Sequence, residues 1–81
     1  MAPVPLQAVF DGDVAVILVL VDDQDTMRSV AAKVAHHVAG TRVAAQDRPL
    51  TVTFRGAAVD DDVTATAAGI GPMDVVRVGY R

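Results

Sequence analysis

The 81-residue sequence contains no cysteine and no glutamate. The absence of cysteine excludes a disulfide scaffold, a thiolate metal site, an iron–sulfur cluster and thiol catalysis. The absence of glutamate removes the residue that closes a calcium-binding loop of the EF-hand type. A chain of this length forms at most one small domain, so we expect a single domain over residues 1–81 whose stability depends on its apolar core.

Positively charged residues are few and scattered along the sequence. Seven Lys and Arg against ten Asp give a net charge of −3 at pH 7, whereas binding to nucleic acid or to an anionic membrane requires clustered positive charge. The longest apolar run, Val14 to Val21, is far shorter than the roughly 20 residues that span a bilayer. The first ten residues contain no Lys or Arg to open a secretory signal. We therefore expect a cytoplasmic protein that binds neither nucleic acid nor a membrane.

Hydrophobic residues make up 52% of the sequence, which is enough for a folded core. Two apolar stretches, Val4 to Phe10 and Val14 to Val21, flank Asp11-Gly12-Asp13. An Asp-Gly step supplies the positive φ of a tight turn, so these stretches predict a β-hairpin. Because two early prolines cannot donate a backbone hydrogen bond, we expect pairing to begin at about Leu6.

A helix is predicted from about Met27 to Ala39. Thr26 is a suitable N-cap, and Gly40 supplies the left-handed residue that ends many helices. The apolar residues that follow the cap recur at the spacing of one helical face. They are Met27, Val30, Ala31, Val34, Ala35 and Val38.

The second half of the sequence predicts three further strands and a helical turn. Leu50 to Arg55 alternates apolar and polar residues, with the apolar set predicted to be buried. Ala57 to Val59 is a candidate short strand, Val63 to Ile70 suffices for one helical turn, and Asp74 to Tyr80 is a last strand. The order of elements predicts an α+β fold with one helix packed across a sheet. This order resembles the ubiquitin-like β-grasp fold, a mixed sheet of order 2-1-5-3-4 in which the second strand is an edge.

The second strand is apolar on both faces. Alternate residues of a strand lie on opposite faces, and only one face can cover the helix. By position relative to the helix start, the set predicted for the core is Ile17, Val19 and Val21, and the set predicted to bind a partner is Val16, Leu18 and Leu20. The alternatives are an apolar strand shielded by the chain termini, or a register slip of one residue that exchanges the two sets.

None of the polar side chains forms a convincing catalytic or metal-binding pattern. His36 and His37 diverge by about 100° on a helix and cannot chelate one metal together. Ser29 has no base at helical spacing. The aspartate clusters at 22–25 and 60–62 are typical of a helix start and of a solvated turn. We therefore predict no catalytic, cofactor-binding or metal-binding residue.

The stretch from Val19 to His37 is similar to the small gamma subunit of bacterial multicomponent di-iron monooxygenases, of the toluene or aromatic and the alkene or isoprene types. That family shows a strand ending in Val-Asp, an Asp-Ser/Thr-Met helix start and the pattern Val-Ala-x-Lys-Val-Ala-x-His. The corresponding residues here are Val21-Asp22, Asp25-Thr26-Met27 and Val30 to His37. Further matches are Pro5-x-x-Ala8-x-Phe10, Arg42-Val43-Ala44 and Asp74-Val75-Val76.

The resemblance implies a non-catalytic, ubiquitin-like subunit of an (αβγ)₂ hydroxylase that oxidises aromatic or alkene hydrocarbons with O₂. The implied partners are the alpha and beta subunits. The di-iron centre would lie in the alpha subunit, so that this chain holds no cofactor and stabilises the assembly by docking on alpha.

Two other binding roles remain open from the sequence. One is a free-standing ubiquitin-like adaptor of another bacterial complex, such as a secretion system. The other is a sulfur carrier or protein modifier, which acts through a C-terminal Gly-Gly, whereas this sequence ends Val78-Gly79-Tyr80-Arg81.

Overall fold

The computed structural model describes residues 2–13, 15–38 and 46–81. The elements in chain order are β1 (Pro3–Phe10), β2 (Val16–Asp22), α1 (Met27–Val38), β3 (Leu50–Phe54), β4 (Ala57–Val59), α2 (Ala65–Ala68) and β5 (Val75–Tyr80). Within these residues the strands form one sheet of order β2-β1-β5-β3-β4, and α1 packs across one of its faces. The predicted sheet order, with the second strand at an edge, is confirmed.

Several sequence-based expectations fall on residues outside the described ranges. These are Val14 on the second strand, the helix end at Ala39 and Gly40, and the segment Arg42-Val43-Ala44. The described part of α1 ends at Val38 and agrees with the predicted helix.

The first strand pairs earlier than the sequence suggested. Pro3 lies opposite Asp22 and Pro5 opposite Leu20 in the antiparallel ladder with β2, so the prediction that pairing begins at Leu6 is wrong. The oxygen of Pro5 accepts a hydrogen bond from the Met73 N–H at 2.6 Å, which places the polar groups of Pro5 on the β5 side of the strand. The missing proline N–H groups therefore cost the β1–β2 ladder nothing.

The N-terminal ends of α1 and α2 are hydrogen-bonded to each other, and the N-terminal end of α1 is also capped. The Thr26 hydroxyl accepts a hydrogen bond from the Ser29 N–H at 3.4 Å, which confirms the predicted N-cap. Thr26 also forms an isolated β-bridge with Thr64, and the Met27 N–H donates to the Val63 oxygen at 2.9 Å. The short helix α2 thereby holds the N-terminal end of α1 in place.

The core lies between α1 and the inner face of the sheet. Its largest fully buried side chains are Phe10, Leu6, Met27, Val21, Val30, Val34, Val38, Val52, Val76 and Val78. Phe10 also makes an edge-to-face contact with Tyr80, with ring centroids 5.6 Å apart. Since β1 supplies residues from Val4 to Phe10 to this core, the central strands hold the helix and the sheet together.

Phe10→Ala should lower the free energy of unfolding by about 3–5 kcal/mol, because the change empties a fully packed site. This loss is a large part of the total free energy of unfolding, which is about 4–12 kcal/mol for a chain of this length. Urea denaturation followed by circular dichroism measures the loss. The neighbouring Val9→Ala, on the half-buried outer side of the same strand, is the control and should cost less than about 1.5 kcal/mol; equal losses would contradict this description of the core.

Candidate interaction surface

The residues predicted to bind a partner lie on the outer face of the sheet. The exposed fraction is 58% for Val16, 67% for Leu18 and 65% for Leu20, whereas Val19 and Val21 are buried. The predicted inward and outward sets of β2 are thus confirmed, although Ile17 is only half-buried at the edge of the core. The register slip that would exchange the two sets does not occur.

The strand register extends this apolar surface beyond β2. Leu18 lies opposite Gln7, which in turn lies opposite Val75 of β5. Val75 is itself 53% exposed. We call the resulting surface the outer patch, and its members are Pro5, Val9, Val16, Leu18, Leu20 and Val75. Sequence reasoning missed its width, because the contribution of β1 and β5 depends on which strands are neighbours.

Polar contacts border the outer patch on the β5 side. The Arg77 guanidinium donates to the Asp11 carboxylate at 2.9 Å. The same carboxylate lies against Gly79, where an added Cβ would collide with Asp11 Oδ2. Glycine at position 79 therefore allows Asp11 to fold back over the sheet.

A groove of about 280 Å³ separates the edge strand β2 from α1. Its lining residues are Val19, Leu20, Ser29, Ala32, Lys33, His36 and His37. The two imidazole rings are 5.7 Å apart between centroids and inclined at 74°, so they do not converge on one point. The sequence offered no signal for this groove, because its two walls come from different elements.

Asp25 and Lys33 form an ion pair beside this groove. The Lys33 ammonium donates to Asp25 Oδ2, and the same oxygen accepts the Asp22 N–H at 2.9 Å. Partial burial alone would raise the pKa of Asp25, but the hydrogen bonds from Lys33 and Asp22 outweigh it and lower the pKa below its ordinary value. The charged carboxylate therefore stabilises the connection between β2 and α1.

The aspartates at 60–62 are more than a solvated turn. Arg28 donates to Asp62 at 2.8 Å, and Arg81 donates to Asp61 at 2.6 Å. These partners are distant in the sequence, which is why the pattern of charges did not reveal them. Such exposed pairs contribute little to stability, and the second of them joins the residue after β5 to this turn.

The described ranges offer little basis for other kinds of site. Within them no group of three or more metal-ligating side chains is placed to hold an ion. No helix there has the length and apolar content needed to cross a bilayer. The outer patch and the adjoining groove are accordingly the features of this part of the chain that most resemble a binding site.

Comparison with known proteins identifies close relatives along nearly the entire chain. The family model described as toluene-4-monooxygenase system protein B (TmoB) matches residues 3–80. The toluene-4-monooxygenase hydroxylase component subunit gamma of Ectopseudomonas mendocina is 35% identical over 83 aligned positions, covering 100% of this chain and 99% of that protein.

Solved structures agree with the sequence comparison. A chain of the toluene 4-monooxygenase HD complex with the inhibitor 4-bromobenzoate superposes with a TM-score of 0.93 at 33% identity, covering 99% of this chain and 100% of that chain. Ubiquitin of Caldiarchaeum subterraneum superposes with a TM-score of 0.74 at 19% identity, over 99% of this chain and 95% of its own. At that identity the second likeness concerns the fold alone, and it confirms the predicted ubiquitin-like β-grasp.

Asp25→Asn should reduce stability at neutral pH by about 1–2 kcal/mol, through loss of hydrogen bonds to a charged carboxylate. Because the pKa of Asp25 is lowered in the folded state, its contribution is present above the unfolded pKa of about 3.9 and is lost as the pH falls through the folded pKa. The difference between wild type and variant should therefore shrink on acidification below about pH 4.

Urea denaturation at a series of pH values between about 7 and 2 measures this difference. Lys33→Met removes the hydrogen bond that does most to lower the pKa of Asp25. The stability difference between wild type and this variant should change with pH in a similar way. A difference between wild type and Asp25→Asn that stays constant over the series would show that the ion pair contributes nothing.

Proposed function

The chain belongs to the toluene-4-monooxygenase system protein B family, and from this premise we propose that it is the gamma subunit of a hydroxylase that oxidises aromatic hydrocarbons. The observation that carries the proposal is the full-length similarity, in sequence and in structure, to a hydroxylase gamma subunit. This similarity agrees with the resemblance found from Val19 to His37, and it favours a hydroxylase subunit over a free-standing adaptor. Oxidation of alkenes and a cytoplasmic location stay predictions.

The proposed role within the hydroxylase is non-catalytic. A carboxylate-bridged di-iron site needs several Glu and His ligands that converge, but the sequence has no glutamate. Its two histidines, His36 and His37, are adjacent and exposed on α1. The side chains of this chain therefore do not fit a di-iron centre, and we place that centre in the large alpha subunit.

We propose that the outer patch docks on the alpha subunit in an (αβγ)₂ assembly with alpha and beta. The support is physical: Val16, Leu18 and Leu20 lie side by side on one face and are each more than half exposed. Their burial against a partner would contribute about 1–2 kcal/mol for each side chain. The other members of the outer patch, on β1 and β5, would enlarge the same contact.

Leu18→Asp should weaken association with the alpha subunit by about 30-fold or more, the effect of losing a central contact of at least about 2 kcal/mol. The new charge would lose its water only in the complex. The isolated chain should stay folded, since Leu18 contributes nothing to the core. Co-elution with alpha in size-exclusion chromatography and a thermal melt by circular dichroism measure the two effects.

Ala58→Asp is the matched control, because Ala58 is exposed on β4 at the opposite edge of the sheet. It should leave co-elution unchanged. Normal co-elution of a folded Leu18→Asp variant would reject the outer patch as the docking surface. A wild-type chain that fails to co-elute with any large hydroxylase subunit would refute the proposed function itself.

A further inference from the structure

The edge strand β2 directs hydrogen-bonding groups away from the sheet. In β1 the Gln7 N–H donates to the Asp74 oxygen at 2.9 Å, so odd-numbered residues of β1 bond towards β5. Even-numbered residues bond towards β2, as the hydrogen bond from the Asp23 N–H to the Ala2 oxygen at 3.0 Å shows. In an antiparallel pair, two opposite residues either bond to each other or both direct their backbone groups away from each other. The direction of each β1 residue therefore fixes the direction of the opposite residue in β2.

Alternate residues of β2 therefore present their N–H and C=O groups at the outer edge. Val19 lies opposite Leu6, so its backbone N–H and C=O groups bond to β1. The N–H and C=O groups of the residues on either side of it therefore point away from β1. Asp22 confirms the alternation, because its N–H turns away from β1 and donates to Asp25 Oδ2 at 2.9 Å. The remaining outward groups belong to Val16, Leu18 and Leu20. Among the described residues no strand lies beyond β2 to receive them.

This edge lacks the features that usually prevent a strand from pairing with another chain. Proteins protect such edges with short strands, charges, prolines or bulges. The residues from Val16 to Val21 contain neither a charge nor a proline. The opposite edge, β4, is only three residues long and runs into Asp60, Asp61 and Asp62. The two edges of one sheet thus differ in their capacity to accept a further strand.

The groove beside β2 indicates the chemistry of a strand that would pair there. A strand added to the edge places alternate side chains on its two faces. One set would extend the outer patch, and the other would lie over the groove, whose lining includes Val19 and Ala32. The same groove is lined by Lys33, His36 and His37 and by no acidic side chain, although the Lys33 ammonium is already paired with Asp25 at its border. A carboxylate is the complementary group.

We propose that an extended, apolar segment of the alpha subunit pairs with β2 as an additional strand, with a carboxylate of that segment facing the basic side of the groove. The inference rests on the proposed function, because it takes the hydroxylase as the complex in which the chain acts. It assigns the contact to backbone hydrogen bonds at Val16, Leu18 and Leu20 as well as to their side chains. Pairing of this kind fixes the register of the partner, which side-chain contact alone would not do.

Deletion of a single backbone N–H tests the pairing separately from the side chains. Incorporation of the α-hydroxy analogue of leucine at Leu18 converts that amide to an ester and keeps the side chain. The dissociation constant of the complex, purified from co-expression with alpha and beta, should rise about three- to tenfold, the effect of one lost hydrogen bond.

The matched control is the corresponding ester at Ala58. The backbone groups of Thr53 bond to β5 and so point away from β4. Its opposite residue Ala58 therefore directs its N–H away from β3, to the outer edge of β4. This ester should leave the dissociation constant unchanged. Equal affinities for the two ester variants, with Leu18→Asp still disruptive, would overturn strand pairing and leave the proposed function intact. Equal weakening by both esters would also overturn it.

The basic groove has its own test. His36→Glu should weaken the complex about fivefold or more, since like charges face each other across the contact. Ala57→Glu adds the same charge at an exposed position of β4 and should have no such effect. An unchanged affinity of the His36→Glu complex would overturn the assignment of a carboxylate to the partner segment.

Discussion

One helix can cover only one face of this sheet, and the rest of the structure follows from that constraint. Alternate side chains of β1 and β5 point to the inner face and pack against the apolar stripe of α1. Most of the large apolar side chains of these three elements are buried in this way. The outer face has no layer of its own in the described part of the chain. The large apolar side chains that β2 and β5 direct outward are therefore exposed until another molecule covers them; they are Val16, Leu18, Leu20 and Val75.

One carboxylate holds the connection between β2 and α1. The Asp25 carboxylate binds both the Asp22 N–H and the Lys33 ammonium, so it fixes the last residue of the strand relative to the helix. Val19 and Val21 of this strand face the core, and Leu20 between them faces outward. The same ion pair borders the groove, because Lys33 is one of its lining residues.

Local patterns in the sequence were sufficient to predict most of the elements. The helical stripe after Thr26 and the alternation from Leu50 to Phe54 each repeat within a few residues, and both predictions agree with the structure. The start of β1 was mispredicted, because the effect of Pro5 depends on which neighbouring strand its backbone faces. The exposed side chains of β2 were predicted correctly. The groove and the outward backbone groups were not, since both depend on contacts between distant parts of the chain.

The sheet itself shows that an apolar outer face is not a requirement of this fold. In β3 the residues that alternate with the buried Val52 and Phe54 are Thr51 and Thr53, which are half-buried and polar. Their counterparts in β2 are a valine and two leucines with more than half of their surface exposed. Both strands supply buried side chains to the same core, so the stability of the folded chain alone does not explain the difference between their outer faces. The proposed binding of a partner at the β2 edge would explain it, because apolar surface there would gain its free energy only when the complex forms.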